Sequence, residues 1–294
     1  EMVMNDKVSI TVKEESTLSK IVIDASKQNY YVAGDYADAV NEVVTLAATN
    51  NAKTTINKEK LSKETLEGVS LLIITDPQST TNTNKGLSPQ MYDAEELAVI
   101  KDFVANGGNL VITSRADYKD AEGEYQNSVQ GNAVLKAIGS SIRFNDDQVI
   151  DKENFSNQNY RLYFNRYNEE SELLKGIDTE KTFSFYSGCS VLVDPNSDAE
   201  VLVRGHETTE SDDADKSGDA IPVAKGDIVG LASETLPGGG TVVVGGTTFF
   251  SDYELKDTNA TTYTNADIMA NIITQLAPKP ELPITTIAEV RKDE

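Results

Sequence analysis

Residues 69–114 carry the topology: VSLLIITDP (69–77), the polar interval QSTTNTNKGLSPQMY (78–92), and then DAEELAVIKDFVANGGNLVITS (93–114). The first run is short, apolar and rich in branched residues, the pattern of a strand buried on both faces, and Pro77 ends it. Residues 93–108 read as a helix. Asp93 stands as N-cap with Glu96 three positions later, and Gly107-Gly108 closes it. NLVITS (109–114) is a second buried strand. Strand, helix, strand in that order predicts a parallel pair joined by a right-handed crossover.

The same alternation extends in both directions. Upstream, IVIDAS (21–26) is a buried strand, KQNYYVAGDY (27–36) a loop, and KTTIN (53–57) a short strand. ADAVNEVVTLAATNN (37–51) has helical spacing at Val40, Val43, Val44, Ala47 and Ala48, with Asn50-Asn51 as a stop. SKETLEG (62–68) offers Ser62 and Thr65 as capping residues and Gly68 as a stop. Downstream, NAVLKAIG (132–139) reads as a short helix, and residues 141–175 mix short strands with turns. Strands follow at 182–194, 199–205, 226–234 and 239–250, with an acidic loop over 206–224. Gly238-Gly239-Gly240 reads as a hairpin turn, not a phosphate cradle, because no helix follows it. NADIMANIITQLA (265–277) closes the chain as an amphipathic helix. The expected fold is α/β: a three-layer, mostly parallel, flavodoxin-like sheet with helices on both faces and an antiparallel addition after residue 140. With no internal repeat and no linker between residues 20 and 277, the expectation is one domain over 20–277, preceded by an N-terminal linker (1–19) and followed by a linker segment (278–294).

Composition narrows the functional classes. Lys and Arg number 26 against 48 Asp and Glu, a net charge of −22 that repels phosphates, so direct nucleic-acid binding and attraction to anionic lipid are not expected. No run of about 18 apolar residues exists, so no membrane span is expected. One Cys allows no internal disulfide, and one His excludes a His-rich metal site. Residues 1–16 lack the charged start and apolar centre of a signal peptide, and Glu1 in place of Met suggests a piece of a longer chain. Pro278, Pro280 and Pro283 favour extended chain. Leu282-Pro283-Ile284-Thr285 has Thr286 where a sortase signal needs Gly, so the tail reads as a linker to a neighbouring domain. Low Cys, high acidity and abundant Asn, Thr and Ser suit a bacterial surface protein and equally an acidic cytoplasmic one; with the tail read as a linker, the expectation is an extracellular or cell-surface bacterial protein.

Open α/β sheets bind ligands beyond the carboxyl ends of their strands. Polar groups stand at four such ends: Asp24; Asp76; Ser114, Arg115 and Asp117; and Thr247, Thr248, Ser251 and Asp252. If the strands are neighbours, these converge on one cleft for a small polar ligand, with Asp24, Asp76, Ser114, Arg115, Asp117 and Asp252 as the binding set. The Arg115 fork suits carboxylate or phosphate, or else forms an ion pair with Asp117 or Asp76. A hydrolase alternative uses Ser114 as nucleophile and His206 as base, although the local sequence lacks a nucleophile elbow. Cys189, inside an apolar strand, reads as packing. Asp213, Asp215, Ser217 and Asp219 place oxygens at alternate positions with Gly218 sixth, the first half of a calcium loop, but the twelfth position is Ala224. No cofactor other than calcium is expected.

The order IVIDASKQNYYVAGDY (21–36), LEGVSLLIITDP (66–77), ELAVIKDFVANGGNLVITSRAD (96–117) and GGTVVVGGTTFFSD (239–252) resembles class I glutamine-amidotransferase-like domains over roughly residues 20–277. Within that class it resembles the trehalose-utilisation-like and gliding-motility-transporter-like branches. Active members carry a Cys after the strand matching NLVITS, where this chain is nearest at Ser114. They carry a His-x-Glu pair after the last strand, where it has Thr247, Thr248 and Phe249. The resemblance therefore implies the fold and a cleft with glutamine hydrolysis lost, a binding or spacer module. PITTIAEVRKD (283–293) resembles the opening of oligonucleotide-fold domains that accompany secreted nucleases and phosphoesterases of Gram-positive bacteria. That implies an accessory domain in a multidomain surface protein.

Overall fold

The computed structural model describes residues 18–118 and 123–280. The first half alternates strand and helix: β1 (Ser19–Asp24), α1 (Asn41–Thr49), β2 (Ala52–Asn57), β3 (Leu71–Ile74), α2 (Ala94–Ala105), β4 (Asn109–Ser114) and α3 (Asn127–Ala137). Short strands follow: β5 (Arg143–Phe144), β6 (Gln148–Asp151), β7 (Arg161–Phe164), β8 (Arg166–Tyr167), β9 (Phe183–Tyr186), β10 (Val191–Leu192), β11 (Glu200–Arg204) and β12 (Thr209–Asp212). The chain closes with β13 (Val229–Thr235), β14 (Thr241–Gly246), α4 (Asp252–Leu255), α5 (Asp257–Ala260) and α6 (Asn265–Leu276).

Eight strands form the central sheet in the order β2-β1-β3-β4-β14-β13-β11-β8. The pairs from β2 to β14 are parallel, and β13, β11 and β8 add antiparallel. Side-chain alternation assigns the faces. Ile21, Ile23, Leu71, Ile73, Val111 and Val243 pack with α1 and α6. Val22, Leu72, Ile74, Leu110, Ile112, Val242 and Val244 pack with α2 and α3. A strand buried on both faces must be apolar at every position, which is why these runs show no polar alternation. Each such Val, Leu or Ile contributes about 1.5–3 kcal/mol from leaving water. No helix among the described residues is long and apolar enough to cross a membrane.

Local signals act as expected at α2, where Asp93 and Glu96 form a capping box. Ser62 and Thr65 exchange hydrogen bonds but hold only a turn. The β13–β14 hairpin turns at Gly238, whose φ is +103° and whose Cβ would lie 2.3 Å from the Ala105 carbonyl oxygen. Two expectations need correction. The stretch 182–194 is two strands, broken where Ser187 adopts φ +47°. The acidic segment 206–224 is not all loop, because β12 pairs antiparallel with β6, Thr209 opposite Asp151. Ser211 Oγ donates to the buried Asp147 there, at 2.6 Å. Most of the N-terminal linker assignment and the stretch 283–293 lie outside the described residues.

Candidate functional site

The chain leaves β1 for β2 on one side and returns to β3 on the other, so the strand order reverses between β1 and β3. A ligand crevice is expected there, at the carboxyl ends. This chain fills the crevice with its own loops. Asn29 and Gln78 are fully buried in it. Asn29 Nδ2 donates to the Thr75 carbonyl (2.8 Å) and to Tyr92 Oη (3.1 Å). Gln78 Nε2 donates to Asp35 Oδ2 (3.1 Å) and accepts on Oε1 from the Asp35 amide (3.0 Å). Gly34 closes the loop, and a Cβ there would lie 1.9 Å from the Gln28 carbonyl oxygen.

The expected binding residues separate into distinct environments. Asp76 and Arg115 do converge: Arg115 Nε donates to Asp76 Oδ2 at 2.6 Å, and Thr247 Oγ1 donates to Oδ1 at 2.5 Å. Arg115 Nη2 also donates to Ser79 Oγ and Asn127 Oδ1, both at 3.2 Å, and its guanidinium lies 3.4 Å from the Tyr30 ring centre. Of the two roles open to Arg115, an internal ion pair with Asp76 is the one observed. Tyr30, Ser79 and Asn127 had no sequence signal, because they come from three separate segments, two loops and the start of α3.

Asp24 stands apart. It is fully buried and accepts from Tyr92 Oη (2.6 Å), Asn57 Nδ2 (3.1 Å) and Ser26. Burial pushes its carboxyl above the usual range, and these donors pull against that shift. Asp252 caps α1: its carboxylate accepts from the Glu42 amide (2.8 Å) and Asn41 Nδ2 (3.0 Å). Val40, at the N-cap, has no capping side chain, so Asp252, 210 positions beyond Glu42, supplies the acceptor. Asp117 is directed to a third place, where one oxygen each from Asp117, Asp213 and Asp215 lie within 4.8 Å of one another. Asp219 is not in this trio, and Ser217 Oγ instead accepts from the Asp219 amide.

The Ser114–His206 pair is not formed. Ser114 Oγ is buried and makes no hydrogen bond. His206 Nε2 bonds the Tyr163 carbonyl oxygen at 2.8 Å, and its ring sits edge-on to Phe164. A serine is not activated without a base within reach. Cys189 is buried, and burial, then the charges of Asp147 and Asp76, push its thiol well above the ordinary range. A thiol held protonated is a poor nucleophile.

A second cluster was missed by sequence reasoning. Arg161 Nη1 pairs with Glu254 Oε1 at 3.2 Å, and Glu254, almost wholly buried, also accepts from Ser184 and Ser251. The Arg161 guanidinium stacks 4.0 Å over the Tyr186 ring and 5.3 Å from that of Tyr253. Three segments far apart in sequence build it, so no local pattern announces it.

No family model matches this chain, and no curated protein matches its sequence. Among solved structures it is similar to the mmIFT52 N-terminal domain, with a TM-score of 0.61 at 18% identity over 87% of this chain and 97% of that one. It is also similar to a GMP synthase component from Thermoplasma acidophilum (TM-score 0.44, 10% identity, 88% of this chain and 94% of that one). A third is a ThuA-like protein from Bacteroides uniformis (TM-score 0.42, 14% identity, 90% and 95%). The first of these likenesses supports the fold: a three-layer α/β sandwich around a mostly parallel sheet.

Proposed function

We propose that the chain is a non-catalytic, amidotransferase-like binding module of a secreted, multidomain bacterial surface protein, one that carries a nuclease or phosphoesterase elsewhere. One observation carries the loss of catalysis. At the strand end where an amidotransferase nucleophile would stand, Ser114 is buried without a hydrogen bond, and Thr247, after the last strand, is engaged by Asp76. Ser114 has no base within hydrogen-bond reach there, and His206 is held by the Tyr163 carbonyl instead, which supports a module that binds without turnover. The surface setting draws its support from the acidic, Cys-poor composition and from the likeness of residues 283–293 to secreted-enzyme modules. A thermal-shift screen against sugars, nucleotides, amino acids and phosphorylated compounds tests this, run beside an ammonia-release assay with glutamine. A specific shift without turnover is expected. Turnover abolished in Ser114→Ala would overturn the non-catalytic reading, and no shift with any class would leave a spacer.

The convergence of Asp117, Asp213 and Asp215 favours a second reading, a calcium-stiffened loop. Calcium takes hard carboxylate oxygens of this kind. Neighbouring Asp146 is raised above the usual range by burial and by the charges of Asp215, Asp219 and Asp213, a crowding that a cation would relieve. Added calcium should then raise the melting temperature saturably in the native chain but not in Asp213→Asn. An unchanged melting temperature removes calcium.

A further inference from the structure

β2 ends the central sheet, with β1 on one side of it and no strand on the other among the described residues. The carbonyls of Asn51 and Asn57 accept from the Ser19 and Ala25 amides, so the odd-numbered residues here turn their backbone groups toward β1. Successive peptide units along a strand point opposite ways. Ala52, Thr54 and Ile56 therefore direct both N–H and C=O away from the sheet, and no hydrogen bond reaches those groups among the described residues. Natural edges are usually blunted by short strands, bulges, Pro or Lys. β2 keeps six residues in unbroken register with β1, without Pro, and has only Lys53 among those devices. The edge strand at the other end of the sheet, β8, has two residues.

An apolar hollow of about 430 Å³ opens where β2 meets α1, lined by Val32, Val40, Val44 and Ile56 with Asp38 and Lys58. Tyr36 and Asp38, both with left-handed backbone, hold Ala37 between them in its lining, and strain of this kind collects where structure serves a site. Side chains alternate along a strand, and Ala52 packs in the core beneath α1, so Ile56 lies on that same face. Ile56 is 37% exposed and Val44 36%, apolar side chains left in water at the hollow. A strand laid beside β2 would pair its backbone with Ala52, Thr54 and Ile56 and send alternate side chains toward Ile56 and Val44. Main-chain pairing supplies affinity in such additions, and pockets for alternate side chains supply selectivity. Charge narrows the partner further. Residues 52–58 carry Lys53 and Lys58 and no acid, and neither lysine has an ion pair among the described residues. Two whole copies, each of net charge −22, repel one another. A short strand with acids at its ends meets these lysines within the screening length of about 10 Å at 0.1 M salt. We propose that the outer edge of β2 and the hollow beside it dock an extended peptide segment of a partner protein, apolar at alternate positions and acidic at its ends. This goes beyond the binding module argued above and does not depend on a ligand at Asp76 or Arg115.

The test uses the full chain and a blocked synthetic peptide of alternating Val and Thr with Glu at both ends, long enough to cover the six residues of β2. Binding is measured by calorimetry and located by amide hydrogen exchange. In the free chain the Ala52, Thr54 and Ile56 amides should exchange freely, while those of Lys53 and Thr55, turned toward β1, are protected. The peptide should bind saturably and slow exchange at the first three amides tenfold or more. The same peptide ended by Lys should bind at least tenfold more weakly. Val44→Glu, on the exposed side of α1, should weaken binding tenfold with melting temperature unchanged. Thr54→Pro removes an outward N–H and leaves the ladder to β1 intact, so it should abolish binding. Should Thr54→Pro fail to fold, Val44→Glu and the exchange pattern decide. No binding of the Glu-ended peptide, or binding that Val44→Glu leaves unchanged, would overturn the site. Equal affinity for the Lys-ended peptide would overturn the class of partner. Protection of Ala52, Thr54 and Ile56 in the free chain at every concentration would mean that the chain covers its own edge. Protection that grows with concentration would mean that a second copy does, and either result overturns the proposal.

Discussion

At the residue scale, Asp24 carries a pH signature. Its carboxyl is raised in the folded chain, chiefly by burial, so folding takes up a proton that the unfolded chain lacks. A raised folded pKa adds stability that is fully present below the unfolded value of about 3.8 and is lost as pH climbs through the folded value. Native stability measured against Asp24→Asn should therefore rise as pH falls through the folded value toward 3.8, by up to about 1.4 kcal/mol per pH unit inside that window. A difference that stays flat in denaturant titrations carried from neutral pH down to 3.8 would show that Asp24 is not shifted. Arg115 gives a second case. Removing it strands Asp76, a buried carboxylate, so Arg115→Ala should cost about 3–5 kcal/mol in unfolding free energy. Adding Asp76→Asn should recover part of that loss, and equal stability of single and double variants would refute the pairing. Of the two roles the sequence leaves open to Arg115, ligand binding or an ion pair, this measures the pair with Asp76.

At the element scale, capping separates what is local from what is not. Asp93 and Glu96 lie three positions apart, so their box is visible in the sequence before any fold is known. The cap of α1 comes instead from Asp252, and no spacing rule links it to Glu42. Asp252→Ala should cost about 0.5–2 kcal/mol, the usual worth of an N-cap, read as a lowered denaturant midpoint with unchanged slope. An unchanged midpoint would mean that α1 does not depend on this acceptor. Strands show the same division. NLVITS coincides with β4 to the residue because burial on both faces leaves one reading of an apolar run. β12 went unseen because its TESD sequence is polar, and its pairing partner β6 lies about sixty residues upstream.

At the scale of the whole molecule, the net charge of −22 sets a uniform repulsion that opposes compaction. Added monovalent salt, which shortens the screening length to about 10 Å at 0.1 M, should raise the melting temperature. A melting temperature that falls with salt would mean that attractive ion pairs, such as Lys85–Asp35, outweigh the repulsion. The α/β alternation, the parallel central strands, the closing helix and the lack of a Cys or His-x-Glu at the strand ends are legible along the chain, because apolar period, adjacent caps and residue identity are all local. Distant contacts alone divide the strand-end polar residues among separate networks, bind Arg115 to Asp76, and gather Arg161 and Glu254 beside Tyr186 and Tyr253. The physical reason is that a site is an agreement among distant segments, reached when the sheet brings its strand ends within hydrogen-bond distance, and nothing in a residue's neighbours along the chain records that distance.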